Sequence, residues 1–376
     1  MEHYFDNSAT TRVCREAADA ALNAMTNVYG NPSSTHTKGR EAKKLLDTAR
    51  LQTAQALGCD AKELVFTSCG SESDNWALFS GAEAMHRRGK HIISSAVEHD
   101  AIHKSLEELA RRGYEVTLLK PDSTGAIRLE DVKNALRDDT ILVSLMLVNN
   151  ETGAVTDIAG VSRVLREAKS AALLHTDAVQ AFMKMPFTPR TLGADMISIS
   201  GHKIHAPKGI GALYIKDGLR LKPFICGGAQ ENARRAGTEA MPAIAALGAA
   251  SEAARLALPE ALPRMRAQKA EIIARLTRDI PELTYLDTPA AHILSISLPG
   301  WRSEVLMNAL EAREVYVSKS SACKKGGRSH VLEAIGMSAR EIDGAIRIGL
   351  SRFTTQDDID ALCHALKDAH DTLRHR

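Results

Sequence analysis

Met196-Ile197-Ser198-Ile199-Ser200-Gly201-His202-Lys203 is a strand-like run that closes on a glycine, a histidine and a lysine. The first five residues read as a buried strand, which puts the lysine just past its end. In a site that lowers its pKa, such a lysine can form an imine with an aldehyde. A solvated loop lysine gives the same local pattern, so the remainder of the chain has to separate the two.

Outward from that run, helix and strand signals alternate between about residues 38 and 254. Helices are predicted over 38–57, 73–88 (stopped by Gly89) and 161–169. Strands are predicted over 63–67, 91–96, 114–119, 141–148, 172–175, 196–200 and 211–215. Continuous apolar strands between helices point to an α/β unit with a largely parallel sheet covered on both faces. After an Ala-rich helix at 242–256 the character changes. Pro259 and Pro263 punctuate the chain, and a long helix through Ile272 and Leu276 follows. Then come a strand at 292–298, a helix at 303–313 and strands at 315–318 and 345–351. Thr355 and Asp358 form a capping-type start for the last helix. The expectation is a large α/β domain over 15–255 and a smaller α+β domain built from 1–14 and 256–376. Ligands of open α/β sheets sit beyond the carboxyl ends of the strands, so chemistry is expected there.

Composition narrows the function classes. The 376 residues suffice for about two domains. A 44% hydrophobic and 25% charged chain is ordinary for a globular protein, so disorder is not the default. With 48 basic against 46 acidic residues the net charge of +2 gives no broad field for nucleic acid or anionic lipid. No apolar run spans a bilayer, and Met1-Glu2-His3-Tyr4-Phe5-Asp6 does not read as a targeting peptide. A soluble, cytoplasmic protein without nucleic-acid or membrane partners is expected. Cys14, Cys59, Cys69, Cys226, Cys323 and Cys363 are far apart with no CxxC pair, which argues against a zinc site and a disulfide framework.

Several strand ends carry chemistry. Ser68-Cys69-Gly70-Ser71-Glu72-Ser73-Asp74-Asn75 joins a strand to a helix. Its backbone amides and the Ser71 hydroxyl could bind phosphate, or Ser71 could merely cap. Asp177 in Thr176-Asp177-Ala178-Val179-Gln180 could keep a pyridine nitrogen protonated, with Gln180 donating to a ring oxygen; a turn-forming aspartate is the alternative. His99 could stack on a cofactor ring and move protons. With His103 it could instead form a metal pair, but no third ligand stands at metal spacing. The loop from Gly227 to Glu239 with Arg234-Arg235 suits an anion or subunit contact, or a charged turn. Cys323 sits in the small, polar stretch Ser318-Lys319-Ser320-Ser321-Ala322-Cys323-Lys324-Lys325-Gly326-Gly327, where two lysines favour a thiolate.

Taken together, the motifs resemble those of the cysteine desulfurases, within the class V branch of pyridoxal 5′-phosphate (PLP) enzymes. The resemblance runs from near Tyr4 to about Asp360. It rests on Asp6-Asn7-Ser8-Ala9-Thr10-Thr11, Gly30-Asn31-Pro32-Ser33-Ser34, Glu98-His99, Asn149-Asn150-Glu151-Thr152-Gly153, His175 through Gln180, Ser200 with His202-Lys203, Arg235-Ala236-Gly237-Thr238-Glu239 and Ser320-Ser321-Ala322-Cys323, in that order. It implies the PLP-dependent transferase fold of the aspartate aminotransferase type, and PLP as cofactor. Lys203 would hold the cofactor as an imine, Asp177 pair with its nitrogen and His99 stack on its ring. Asn150 and Gln180 would lie near the ring oxygen. Gly70, Ser71, Ser200 and His202 would hold the phosphate, with Thr238 contributed by the second subunit of a homodimer. Arg347 would clamp the carboxylate of L-cysteine, and Cys323 would take the sulfur for transfer to an acceptor protein of an iron–sulfur or thiolation pathway. A selenocysteine lyase or another class V aminotransferase is the alternative, and a mobile thiol at Cys323 is what separates desulfuration from transamination. Cys69 stands where a glycine is usual, Ser71 where a threonine is common, and Lys319 where a small residue precedes the cysteine.

Overall fold

The computed structural model describes residues 2–319 and 328–373. Seven strands form the main sheet in the spatial order Leu64–Thr67, Gly211–Ile215, Met196–Ser200, Leu173–Asp177, Thr140–Ser144, His91–Ser95 and Glu115–Leu119. From Met196–Ser200 to Glu115–Leu119 every pairing is parallel. Gly211–Ile215 runs antiparallel to both of its neighbours. Only residues 201–210 separate it from Met196–Ser200, too short a link for the crossover a parallel pairing needs.

Side chains alternate across these strands, as a period of two requires. Ile93, Val143 and Ile197 join one buried cluster, while Ile92, Leu142 and Met196 join another on the opposite face. Both faces are therefore covered, which is why the strands read as continuous apolar runs.

Two helices were expected around Pro259 and Pro263, and the structure has one. Met241–Asp279 is a single helix of 39 residues containing both prolines. An interior proline removes a helical hydrogen bond and costs about 3 kcal/mol. The buried stripe nevertheless continues past both, from Ile244, Leu247 and Ala250 to Met265, Ile272 and Leu276. Both prolines are exposed, as is Arg255, so the carbonyls that lose their helical partners lie on the solvent side. The first half of this helix packs into the core of the large sheet and the second half into the core of a smaller unit. The division proposed at 255/256 falls inside it.

The smaller unit holds a four-stranded antiparallel sheet in the order Ser318–Lys319, Ala345–Gly349, Ile293–Ser297 and Thr284–Tyr285. The strand expected at 315–318 is split: Val315–Tyr316 pairs in parallel with His3–Tyr4, and Ser318–Lys319 turns to the neighbouring sheet. Phe5 is buried in the same core. No helix among the described residues is long and apolar enough to cross a membrane.

Candidate active site

Beyond the carboxyl ends of the parallel strands lies a cavity of about 380 Å³. Lys203, His99, Asp177, Gln180, Asn150, Gly70, Ser71, Ser200, His202 and Arg347 all line it. Thr238 is exposed and lies outside it. Cys323 lies outside the described residues.

The strand Met196–Ser200 passes directly into the single turn Gly201–Lys203. A Cβ at Gly201 would come within 2.9 Å of the Ile210 side chain and 3.0 Å of the Ala206 Cβ, so a larger residue there would force its neighbours to shift. Lys203 Nζ donates to the carbonyls of Ser8 (2.7 Å) and Ala9 (2.6 Å). The Ser8 carbonyl also accepts from Gln180 Nε2 at 2.8 Å. The N-terminal motif is thus a wall that orients both side chains.

On the neighbouring strand, Asp177 is buried and accepts from the Val179 amide at 2.9 Å. The helix expected from Ser73 begins three residues earlier, as Gly70–Met85. Cys69 makes no side-chain cap, so no side chain there claims the first-turn amides, and they carry the positive end of the helix dipole. A Cβ on Gly70 would stand 2.9 Å from Val179 and 3.5 Å from Ser200, which brings that helix start against the strand carrying the lysine. The buried Ser200 hydroxyl has no hydrogen-bond partner among the described residues. This end of the cavity suits an anion.

His99 caps the helix Asp100–Arg111, its Nδ1 accepting from the Ala101 amide at 3.1 Å. A neutral His99 therefore carries its proton on Nε2. Arg347, on Ala345–Gly349, is buried and donates to the Asn150 carbonyl (2.8 Å), Ser318 Oγ (2.9 Å) and Asp6 Oδ1 (3.3 Å). Its Nε has no partner among the described residues.

Burial sets the electrostatics. It pushes the Asp177 carboxyl up, an effect opposed first by the hydrogen bond from the Val179 amide and then by the Lys203 cation. Burial and then the Asp177 charge push Asp74 well up. His202 is brought down to about 4, first by burial and then by the Lys203 and Lys184 cations.

Some contributors were not assigned a role from sequence. Glu98 lines the cavity and is pushed up to about 8 by burial, although its Oε1 accepts from Ser95 Oγ (2.6 Å) and the Met146 amide (3.0 Å). Glu151, pushed up to about 7 by burial, takes a hydrogen bond from Ser329 Oγ. Both stood inside quoted motifs, so the signal was present and only the roles were not. The described residues flanking 320–327 also reach the site: Ser318 touches Arg347, while Arg328, Ser329 and His330 line the cavity. Lys319 pairs with Glu304 at 2.7 Å, and Arg328 with Asp343 at 2.9 Å.

The sequence profile of the family described as aminotransferase class-V matches residues 3–362. Cysteine desulfurase 2 of Trichormus variabilis is 41% identical, with 99% of this chain and 94% of that protein covered. The cysteine desulfurase IscS of Methanosarcina thermophila is 39% identical, over 99% of this chain and 92% of that one. Among solved structures, a NifS-like protein superposes with a TM-score of 0.93 at 35% identity, covering 99% of this chain and 100% of that chain. A structure described as SspA in complex with cysteine gives a TM-score of 0.81 at 30% identity, covering 94% and 100%. A chain that matches this family from residue 3 to residue 362, and is 39–41% identical to these desulfurases over 99% of its length, belongs to the class-V aminotransferases and, within them, to the cysteine desulfurases.

Proposed function

We propose that the chain holds pyridoxal 5′-phosphate on Lys203 and removes sulfur from L-cysteine, giving L-alanine and a persulfide on Cys323. The observation that carries this reading is the convergence of Lys203, Asp177 and the Gly70 helix start on one cavity. The residues fit the cofactor. Ser200 Oγ is buried without a partner and the helix start has no side-chain cap, so a phosphate would satisfy both. Asp177 is buried, and a protonated pyridine nitrogen supplies a cation that favours its ionised form. Ser71 and His202 complete the phosphate end; Gln180 and Asn150 serve the ring oxygen.

When bound, the cofactor supplies an electron-accepting ring that takes up the charge left at Cα. Lys203 is the base that removes the Cα proton of L-cysteine. His99, with Nδ1 committed to the Ala101 amide, moves protons through Nε2. Arg347 turns its unpaired Nε edge to the substrate carboxylate while its other nitrogens stay on Asn150, Ser318 and Asp6. The Cys323 thiolate attacks the substrate sulfur. An S–S bond forms, the C–S bond breaks, and its electron pair stays with the carbon skeleton, which takes up one proton at Cβ, regains the one removed from Cα, and leaves as alanine. The outer sulfur of Cys323 then passes to an acceptor protein. Thr238, exposed and off its own cavity, serves the phosphate of a second copy in a homodimer.

Incubation with L-cysteine and a reductant should release alanine and sulfide in equal amounts. Cys323→Ala should lower that turnover roughly a hundredfold or more while leaving the bound cofactor's colour in place. A variant with the parent's turnover would remove Cys323 from the mechanism.

A further inference from the structure

A second amine stands behind Lys203. Lys184 is buried, and its Nζ donates to Gln180 Oε1 at 3.4 Å. Gln180 in turn donates to the Ser8 carbonyl, the same oxygen that accepts from Lys203. Lys184, Gln180, Ser8 and Lys203 are therefore one connected chain of contacts. Lys184 and Lys203 also share a second, small cavity of about 20 Å³. Met183, directly before Lys184, sits at φ 55°, a left-handed conformation that a residue with a side chain rarely adopts. Strain held next to a buried charge is a reason to look for function there.

The groups around Lys184 come from several elements. Lys203, His202 and His205 lie on the segment after Met196–Ser200; Arg347 and Arg352 lie on and just after Ala345–Gly349; His292 directly precedes Ile293–Ser297. All are cationic or neutral; the carboxylate of Asp177 faces Lys203 across the larger cavity and acts on that amine. Burial, then the charges of Lys203 and Arg347, bring Lys184 down to about 7. His292 is buried beside the Gln180 backbone, and burial pushes its ring well down, toward the neutral form.

We propose that Lys184 is a positioning residue for Lys203 and Gln180: its amine fixes the Gln180 amide, and its positive charge disfavours a second positive charge on Lys203. The inference rests on the reading of Lys203 as cofactor-holding base. A lysine beside another cationic group is held in its neutral, reactive form, and two amines this closely linked titrate as a pair.

The test is a pH titration of the visible absorbance of the cofactor-loaded protein. A nearby cation disfavours the protonated form of the chromophore at Lys203 and lowers its midpoint, so removing that cation raises it. Lys184→Met should move the midpoint up by about one unit, with kcat falling by more than KM changes. Lys184→Arg keeps the charge and should hold the midpoint near the parent's, which a purely space-filling role would not require. Should the methionine variant fail to fold, Lys184→Gln carries the same expectation. A neutral variant whose midpoint coincides with the parent's overturns the inference. A parent that gains no visible band with pyridoxal 5′-phosphate overturns the cofactor reading, and this inference with it.

Discussion

Lys203→Ala loses about 10³-fold or more in desulfurase turnover, together with the yellow colour of the cofactor-loaded parent, while remaining folded. The loss is large because one amine serves twice, as the attachment point and as the base. Folding survives because what the Lys203 amine gives the Ser8 and Ala9 carbonyls are hydrogen bonds at the cavity wall, each worth about 1 kcal/mol net. Those carbonyls line a cavity that water can enter, so they are not stranded. Turnover with L-cysteine, the visible spectrum and a thermal melt, taken together, check this. A variant that stays yellow and active would mean that the cofactor is held elsewhere.

Arg347→Lys raises KM for L-cysteine about a hundredfold, with a smaller fall in kcat. The guanidinium has five N–H donors. It already serves the Asn150 carbonyl, Ser318 and Asp6, and still has Nε to offer. An ammonium has three donors and no planar fork, so it cannot keep that wall and grip a carboxylate as well. Two orders of magnitude correspond to about 2.7 kcal/mol, within reach of a lost charge-assisted pair. Steady-state kinetics over a range of cysteine concentrations decides it. A KM within a factor of two of the parent's would assign substrate binding to another residue.

The strands were the most legible part of the chain. Met196–Ser200 and Gly211–Ile215 fall where the sequence puts them, because a strand buried on both faces is a short apolar run bounded by glycine or polar residues. Its direction is not written in that run. The reversal of Gly211–Ile215 follows from the length of the connecting loop, a signal that was present and not used. The helix Met241–Asp279 was the clearest misreading. Proline breaks a helix by local rules, but here the apolar stripe packs against the helices Arg15–Thr26, Thr37–Leu57 and Gln356–Thr372, and tertiary burial outweighs two missing bonds. The start at Gly70 was read three residues late because an uncapped helix leaves no cap to find.

The site was legible where a residue type had a chemical purpose at a strand end. Lys203, Asp177, His99 and Arg347 are of that kind, and they converge. Lys184 was not. In Val179-Gln180-Ala181-Phe182-Met183-Lys184 a lysine four places after a glutamine looks like any exposed turn residue. Only the packed structure buries it. Glu98 and Glu151 were inside recognised motifs, yet their raised carboxyls come from burial, which one sequence does not display.

Borohydride reduction of the pyridoxal 5′-phosphate-loaded protein, followed by proteolysis and mass spectrometry of the peptide containing residue 203, reads the account at its root. The expected result is a phosphopyridoxyl mass on the Lys203 ε-amine, absent from Lys208, Lys216 and the other lysines. An unmodified Lys203 peptide from fully loaded protein, or the same mass spread over surface lysines, would contradict it.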